Sequence, residues 1–369
     1  MKKHYFLFIS LFLTLIITLS SCGSDDGYTP IPEPEPEPEP TSPVVVDLNA
    51  VPYSKLSDYK FYSGDMKNLE PALGVLPYDL NSSLFTDYAH KKRFVWMPKD
   101  VKASYAADGS ILNFPTGAVL IKNFYYENVQ PDNVTKIIET RLMIKKADGW
   151  IFANYIWNNE QTDATLNMNG GYVNTNWKEG GIAKNTNYRI PSEAECFTCH
   201  KSGGHPIPIG PKPQNLNKIY TYTDGAKNQL TKWIEAGYLN NTVPNSIIST
   251  TDWADASQPL ELRVRSYLDI NCAHCHSEGA HCDYRPVRFA FSETTDPANL
   301  GICVEPQEQI EGSLSHIIKP GTKEKSVLYY RLNATEPSVK MPLLGRSIVH
   351  TEAVDLIGQW IDSLEGSCP

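Results

Sequence analysis

Cys196-Phe197-Thr198-Cys199-His200 and Cys272-Ala273-His274-Cys275-His276 are the two stretches on which the reading of this 369-residue chain turns. Both are Cys-x-x-Cys-His, the spacing used for covalent attachment of c-type haem. The chemistry needs that spacing. Two thiols one helical turn apart add across the two vinyl groups of the porphyrin, and the adjacent imidazole then lies under the iron as proximal ligand. The same four cysteines could instead hold a structural zinc ion, or close as disulfides in an exported chain. Neither alternative gives a reason for a histidine directly after both pairs. The expectation is two covalently attached haem c groups, held by Cys196, Cys199, Cys272 and Cys275, with His200 and His276 as iron ligands.

Beyond the second motif, Met341-Pro342 precedes an amphipathic stretch, and a thioether on the far side of the iron would complete a low-spin, six-coordinate centre. Met341 is therefore the expected distal ligand of haem two. For haem one no Met lies between His200 and Cys272, and His90, Met97, His205 or an open position remain as alternatives. Cys282 and Cys303 are expected to form a disulfide in the loop after the second motif, with Cys303 and Cys368 as the other pairing.

Working outward to the N-terminus, Lys2 and Lys3 precede a nearly continuous apolar run from Phe6 to Leu19, followed by Leu19-Ser20-Ser21-Cys22. This layout is that of an export signal over residues 1–21, and its end is similar to a bacterial lipobox in which Cys22 carries the lipid. Loss of that segment takes the formal charge from −9 to −11. Residues 22–47 form an acidic, proline-rich linker, and Pro at every second position from 30 to 40 excludes helix and sheet there. An acidic chain has no basic footprint for phosphate, which argues against nucleic acid as partner. A lipid anchor and an outer-membrane location facing periplasm or cell surface follow as expectations.

The body divides by composition. From 48 to 190 there are many short β-branched and aromatic runs, such as Ala118 to Tyr126, Thr140 to Ile144 and Trp150 to Trp157, with Asp148-Gly149 as a hairpin signal. From 191 to 369 helical spacing takes over, at Ala226 to Leu239, Pro259 to Ile270 and beyond Thr351. The expected fold class is multi-domain α+β: a β-rich sandwich or barrel-like N-terminal domain, then a mostly α-helical cytochrome c-like di-haem region.

The stretch Lys319-Pro320-Gly321 through Ser326 to Arg331 and on to Met341-Pro342 resembles a segment of bacterial cytochromes c. Pro77 to Asn81, Leu84 to Phe94, Phe114 to Gly117, Trp157-Asn158, Ile209 to Lys212, Asn215 to Asn217 and Asn228 to Leu230 extend the likeness. Together they resemble the bacterial di-haem c-type cytochromes with a β-rich region ahead of the haem motifs. The resemblance implies haem binding and electron transfer and no definite substrate. The expected function is single-electron carriage between redox proteins that dock transiently. The alternative is a peroxidase-like or other small-molecule oxidoreductase using an open position at the first haem.

Overall fold

Val119-Leu120-Ile121-Lys122-Asn123-Phe124-Tyr125-Tyr126 lies in the middle of a large antiparallel sheet, and its β-branched and aromatic residues suit a pleated surface covered on both sides. The computed structural model describes residues 41–369, which form one compact unit. The leader, Cys22 and the linker through residue 40 lie outside the described residues.

The sheet has eight strands. Strands β1 (Leu76–Tyr78), β2 (His90–Trp96), β3 (Val119–Val129), β4 (Val134–Lys146), β5 (Gly149–Trp157) and β6 (Ala164–Leu166) pair in chain order. Strands β7 (Gly171–Glu179) and β8 (Ile182–Ile190) form a hairpin that joins the end of β3 where Val129 faces Trp177. The hairpin at Asp148-Gly149 is present, with Lys146 opposite Gly149.

Because side chains alternate across a strand, register assigns each residue a face. Phe94, Ile121, Leu142 and Ala153 stand in one cross-strand row and Val95, Leu120, Met143 and Phe152 in the next, on opposite faces. The first face packs under the N-terminal segment through Leu56, Tyr59, Phe61 and Leu69. The second packs under Leu216, Leu230, Trp233, Leu239 and Ile270. Each large apolar side chain buried this way contributes about 1.5–3 kcal/mol.

This arrangement corrects the expected fold class. The β region is a single sheet, neither sandwich nor barrel, because short helices and extended chain cover both faces and no second sheet is needed. The part after residue 190 is also not a mostly helical cytochrome c-like region. The described residues carry 26% strand against 20% helix. The helices are short: α1 (Glu193–Cys199), α2 (Pro213–Leu216), α3 (Gln229–Glu235), α4 (Leu260–Leu268), α5 (Pro297–Leu300), α6 (Val327–Asn333) and α7 (Thr351–Ser363). Pro206, Pro208, Pro211 and Pro213 remove amide donors in close succession, so this stretch lies as extended chain and one short turn against the sheet. The helix expected from Ala226 begins only at Gln229. Gly225 to Asn228 pairs instead with Ile219 to Tyr222, and the Asn228 side chain caps the helix by accepting from the amides of Leu230 and Thr231. No helix among the described residues is long and apolar enough to cross a membrane.

The disulfide expected between Cys282 and Cys303 is also corrected. The chain after α7 brings Cys368 to Cys303 with a Cα–Cα distance of 5.2 Å, and these two are bonded. Cys282 is a buried free thiol whose amide donates to the carbonyl of Cys275, so its backbone belongs with the second motif. Closing a loop over a sequence separation of 65 stabilises the fold by roughly 4 kcal/mol on chain entropy.

Trp233 is fully buried, with its ring edge-on to Tyr78 and Phe114. Trp233→Ala is expected to cost about 3–5 kcal/mol in denaturant unfolding; a loss below about 1 kcal/mol would contradict the packing of α3 on the sheet.

Candidate functional site

The first motif is set by a well-capped short helix. Ser192 accepts from the amide of Glu195 while the Glu195 carboxylate accepts from the amide of Ser192, a capping box, and Arg189 pairs with that carboxylate at 2.7 Å. Cys196 and Cys199 are then three residues apart on α1, one above the other. His200 ends the helix, its amide donating to the carbonyl of Cys196 at 2.9 Å. The Nδ1 of His200 lies 2.9 Å from the carbonyl of Ile207. A carbonyl only accepts, so Nδ1 carries the proton and Nε2 keeps its lone pair. That is how a histidine is held for a metal. Burial pushes the His200 imidazole down to about 3, and it stays neutral.

The second motif follows α4 through a single π turn, Asp269–Ala273. The amides of Cys275 and His276 both donate to the carbonyl of Cys272, which curls Cys272, Cys275 and His276 into one turn. Burial brings His276 down to about 4, and its buried Nδ1 has no partner. Asp269, at the start of the turn, is anchored by the Lys212 ammonium at 3.0 Å and the amide of Phe291 at 3.0 Å.

The two motifs meet. Cys199 Sγ, Cys275 Sγ and a ring nitrogen of His274 lie within 4.8 Å of one another. A hydrogen bond between the two thiols holds Cys199 well below the usual thiol range and Cys275 well above it. Just beyond the motifs the Gly203 amide donates to the carbonyl of Gly279 at 3.0 Å. Both glycines have positive φ, and a Cβ on Gly279 would stand 2.8 Å from the nitrogen of Gly203.

Each imidazole has its own surroundings. His276 and Met341 line the same two cavities, of about 620 and 580 Å³, walled by Phe289, Leu328 and, in one of them, Leu332. The Met341 loop is fixed by Arg346, which is buried and donates to the carbonyls of Met341, Arg331, Leu332, Ala334 and Ile348. Asp87, also buried, accepts from the amides of Ser347 and Ile348 at 2.6 and 3.1 Å and so ties this loop to the sheet. Phe85, in the same segment as Asp87, donates its amide to Asn271 just before Cys272.

His200 lines two other cavities, of about 760 and 610 Å³, both shared with Cys196, Lys122, Arg141 and Ile209. None of the three residues expected across from it is there. His90 points to the opposite sheet face and stacks on Tyr125, Met97 lies in the core, and His205 is exposed on a small hairpin. What the sheet presents instead is the row Arg93, Lys122, Arg141 and Asn154. Sequence reading passed over these residues and over Arg346 and Asp87. The available signal was a charged residue at an inward position of an otherwise apolar strand, as at Lys122 between Leu120 and Phe124.

A c-type haem at each motif would be held by the two thiols and the adjacent imidazole. Each motif offers two thiols on one turn, an imidazole with a free nitrogen and a cavity beside it. A zinc ion would find Cys199, His274 and Cys275 among the described residues, using one cysteine from each pair and neither terminal histidine. Cys196, Cys272, His200 and His276 would then serve only in packing. Gly279→Ala is expected to cost about 1–3 kcal/mol in urea unfolding, from left-handed strain and the clash with Gly203, and a neutral result would contradict the close approach of the two loops. No protein-family model, curated protein or solved structure matches the chain.

Proposed function

We propose that the protein is an exported di-haem c-type cytochrome that carries single electrons between periplasmic or cell-surface redox proteins, anchored to the outer membrane through a lipid on Cys22. The observation that supports this most is the meeting of the two attachment motifs, with Cys199 Sγ and Cys275 Sγ within 4.8 Å. Thioether edges that close would give electrons a short path from one centre to the other. Bound at these cysteines, each haem would supply an iron cycling between Fe(III) and Fe(II).

The chain's own residues do the holding. Ile207 fixes the His200 tautomer, Arg346 and Asp87 fix the Met341 loop, and Phe289, Leu328 and Leu332 keep water from the second centre. A thioether ligand and an apolar wall both favour the reduced iron and raise its potential. Partners would dock weakly and release quickly, as electron-transfer encounters do.

A second reading, a peroxidase-like oxidoreductase with an open position at the first haem, draws on one observation: His90, Met97 and His205 all lie away from the His200 cavities. Spin state separates the two. In the carrier, both ferric centres are low-spin and a redox titration shows two one-electron steps; a high-spin ferric signal from half the iron would favour the enzyme. Met341→Ala is expected to abolish the sulfur-to-iron charge-transfer band while leaving the haem count unchanged. Persistence of the band would overturn Met341 as ligand.

A further inference from the structure

The sheet row that faces His200 carries donors with nothing to donate to. Asn154 is 2% exposed, lines the cavity of about 610 Å³, and neither its Nδ2 nor its Oδ1 has a partner. The Nε of Arg141 is buried and equally unpartnered. Lys122 makes no ion pair or hydrogen bond among the described residues, and its Nζ merely lies 5.0 Å from the Phe124 ring centroid. The three are direct cross-strand neighbours on β3, β4 and β5, on one face, and all line the same cavity as Cys196 and His200.

An unsatisfied buried donor is costly, and two of them beside the unpaired ammonium of half-buried Lys122, all in one row, indicate a missing acceptor. The charges agree. Arg93 is matched by Asp79 and Arg141 by Glu139, so Lys122 is the basic residue of the row without an ion-pair partner among the described residues. Burial and the neighbouring Arg93, Lys91 and Arg141 disfavour its ammonium form, with the Glu139 carboxylate acting the other way, and an anion in the cavity would favour the charged form further.

We propose that Lys122, Arg141 and Asn154 form an oxyanion-binding row that takes the carboxylates of the haem attached at Cys196 and Cys199. The inference rests on the di-haem reading. Carboxylate is the chemistry the row fits: it accepts from an ammonium, a guanidinium edge and an amide together, and needs no donor in return. Such a row neutralises charge that the attached group brings into the protein interior. It also places a positive charge near the first centre, which disfavours oxidation to Fe(III). Met143 lies on the neighbouring row with Phe152, whose ring packs edge-on against His200 at 5.6 Å. It therefore lies outside the oxyanion row.

The test uses the full matured protein and the Lys122→Gln and Asn154→Leu variants, with Lys122→Arg as the charge-conserving control should Lys122→Gln fold poorly. Haem is counted per chain in each. The expected result is two haems in every variant, a lower potential for one haem in Lys122→Gln with the other unmoved, and a shift of the carboxylate bending bands of one haem in resonance Raman. Lys122→Arg should restore the wild-type potential. Unchanged potentials and Raman bands in both Lys122→Gln and Asn154→Leu would overturn the proposal. Conversion of one haem to high spin in Lys122→Gln would overturn it too, by making the amine an iron ligand. Nitrite that perturbs one haem of the wild type but not of Lys122→Gln would show the row open to a free oxyanion, and would overturn its assignment to the haem's own carboxylates. A chain without haem would instead fail at the count, and with it the functional reading on which this rests.

Discussion

The contact between the two motif loops is the constraint from which the rest of the arrangement follows. The Gly203 amide reaches the Gly279 carbonyl, and no side chain fits between these loops, so Cys199 and Cys275 are held side by side. Everything around them keeps the two turns in place. The capping box at Ser192 and the Arg189–Glu195 pair fix the first turn, while Asp269, gripped by Lys212 and the Phe291 amide, fixes the second.

The sheet is the wall against which this junction is built. One face is closed by the N-terminal segment, and the other is shared between an apolar row at Leu120, Met143 and Phe152 and a polar row at Lys122, Arg141 and Asn154. Buried polar groups are expensive, and a sheet face that only needed packing would carry apolar residues throughout. On the proposed di-haem reading, the polar row beside His200 separates structural from ligand-facing residues within single strands. The segment from Asp79 to Arg93 runs between the two regions. Its Phe85 amide and Asp87 carboxylate reach the second motif and the Met341 loop.

What could be read directly from the chain was whatever depends on neighbours along it. The Cys-x-x-Cys-His turns are local chemistry, and so is the hairpin at Asp148-Gly149. Residues such as Lys122 and Arg141 needed the strand register, because a shift of one residue moves a side chain to the other face. Helical spacing from Ala226 onward misled because Gly225 to Asn228 folds back on Ile219 to Tyr222 as a local hairpin, and an apolar periodicity that begins at Leu230 does not register that turn. The mostly helical C-terminal region failed for a related reason: the sheet already supplies a wall, so short helices and extended chain suffice to bury Leu216, Trp233 and Leu239. The pairing of Cys303 with Cys368 depended on where the last residues return after α7.

Lipid attachment, export and electron carriage all presuppose that porphyrin is joined to both cysteine pairs. Mass spectrometry of intact protein matured in a host with haem-attachment machinery, followed by peptide mapping, reads this directly. The account predicts two haem additions per chain, one on the peptide with Cys196 and Cys199 and one on the peptide with Cys272 and Cys275. An unmodified polypeptide mass, or a stoichiometric zinc ion with all four thiols free of porphyrin, would contradict it.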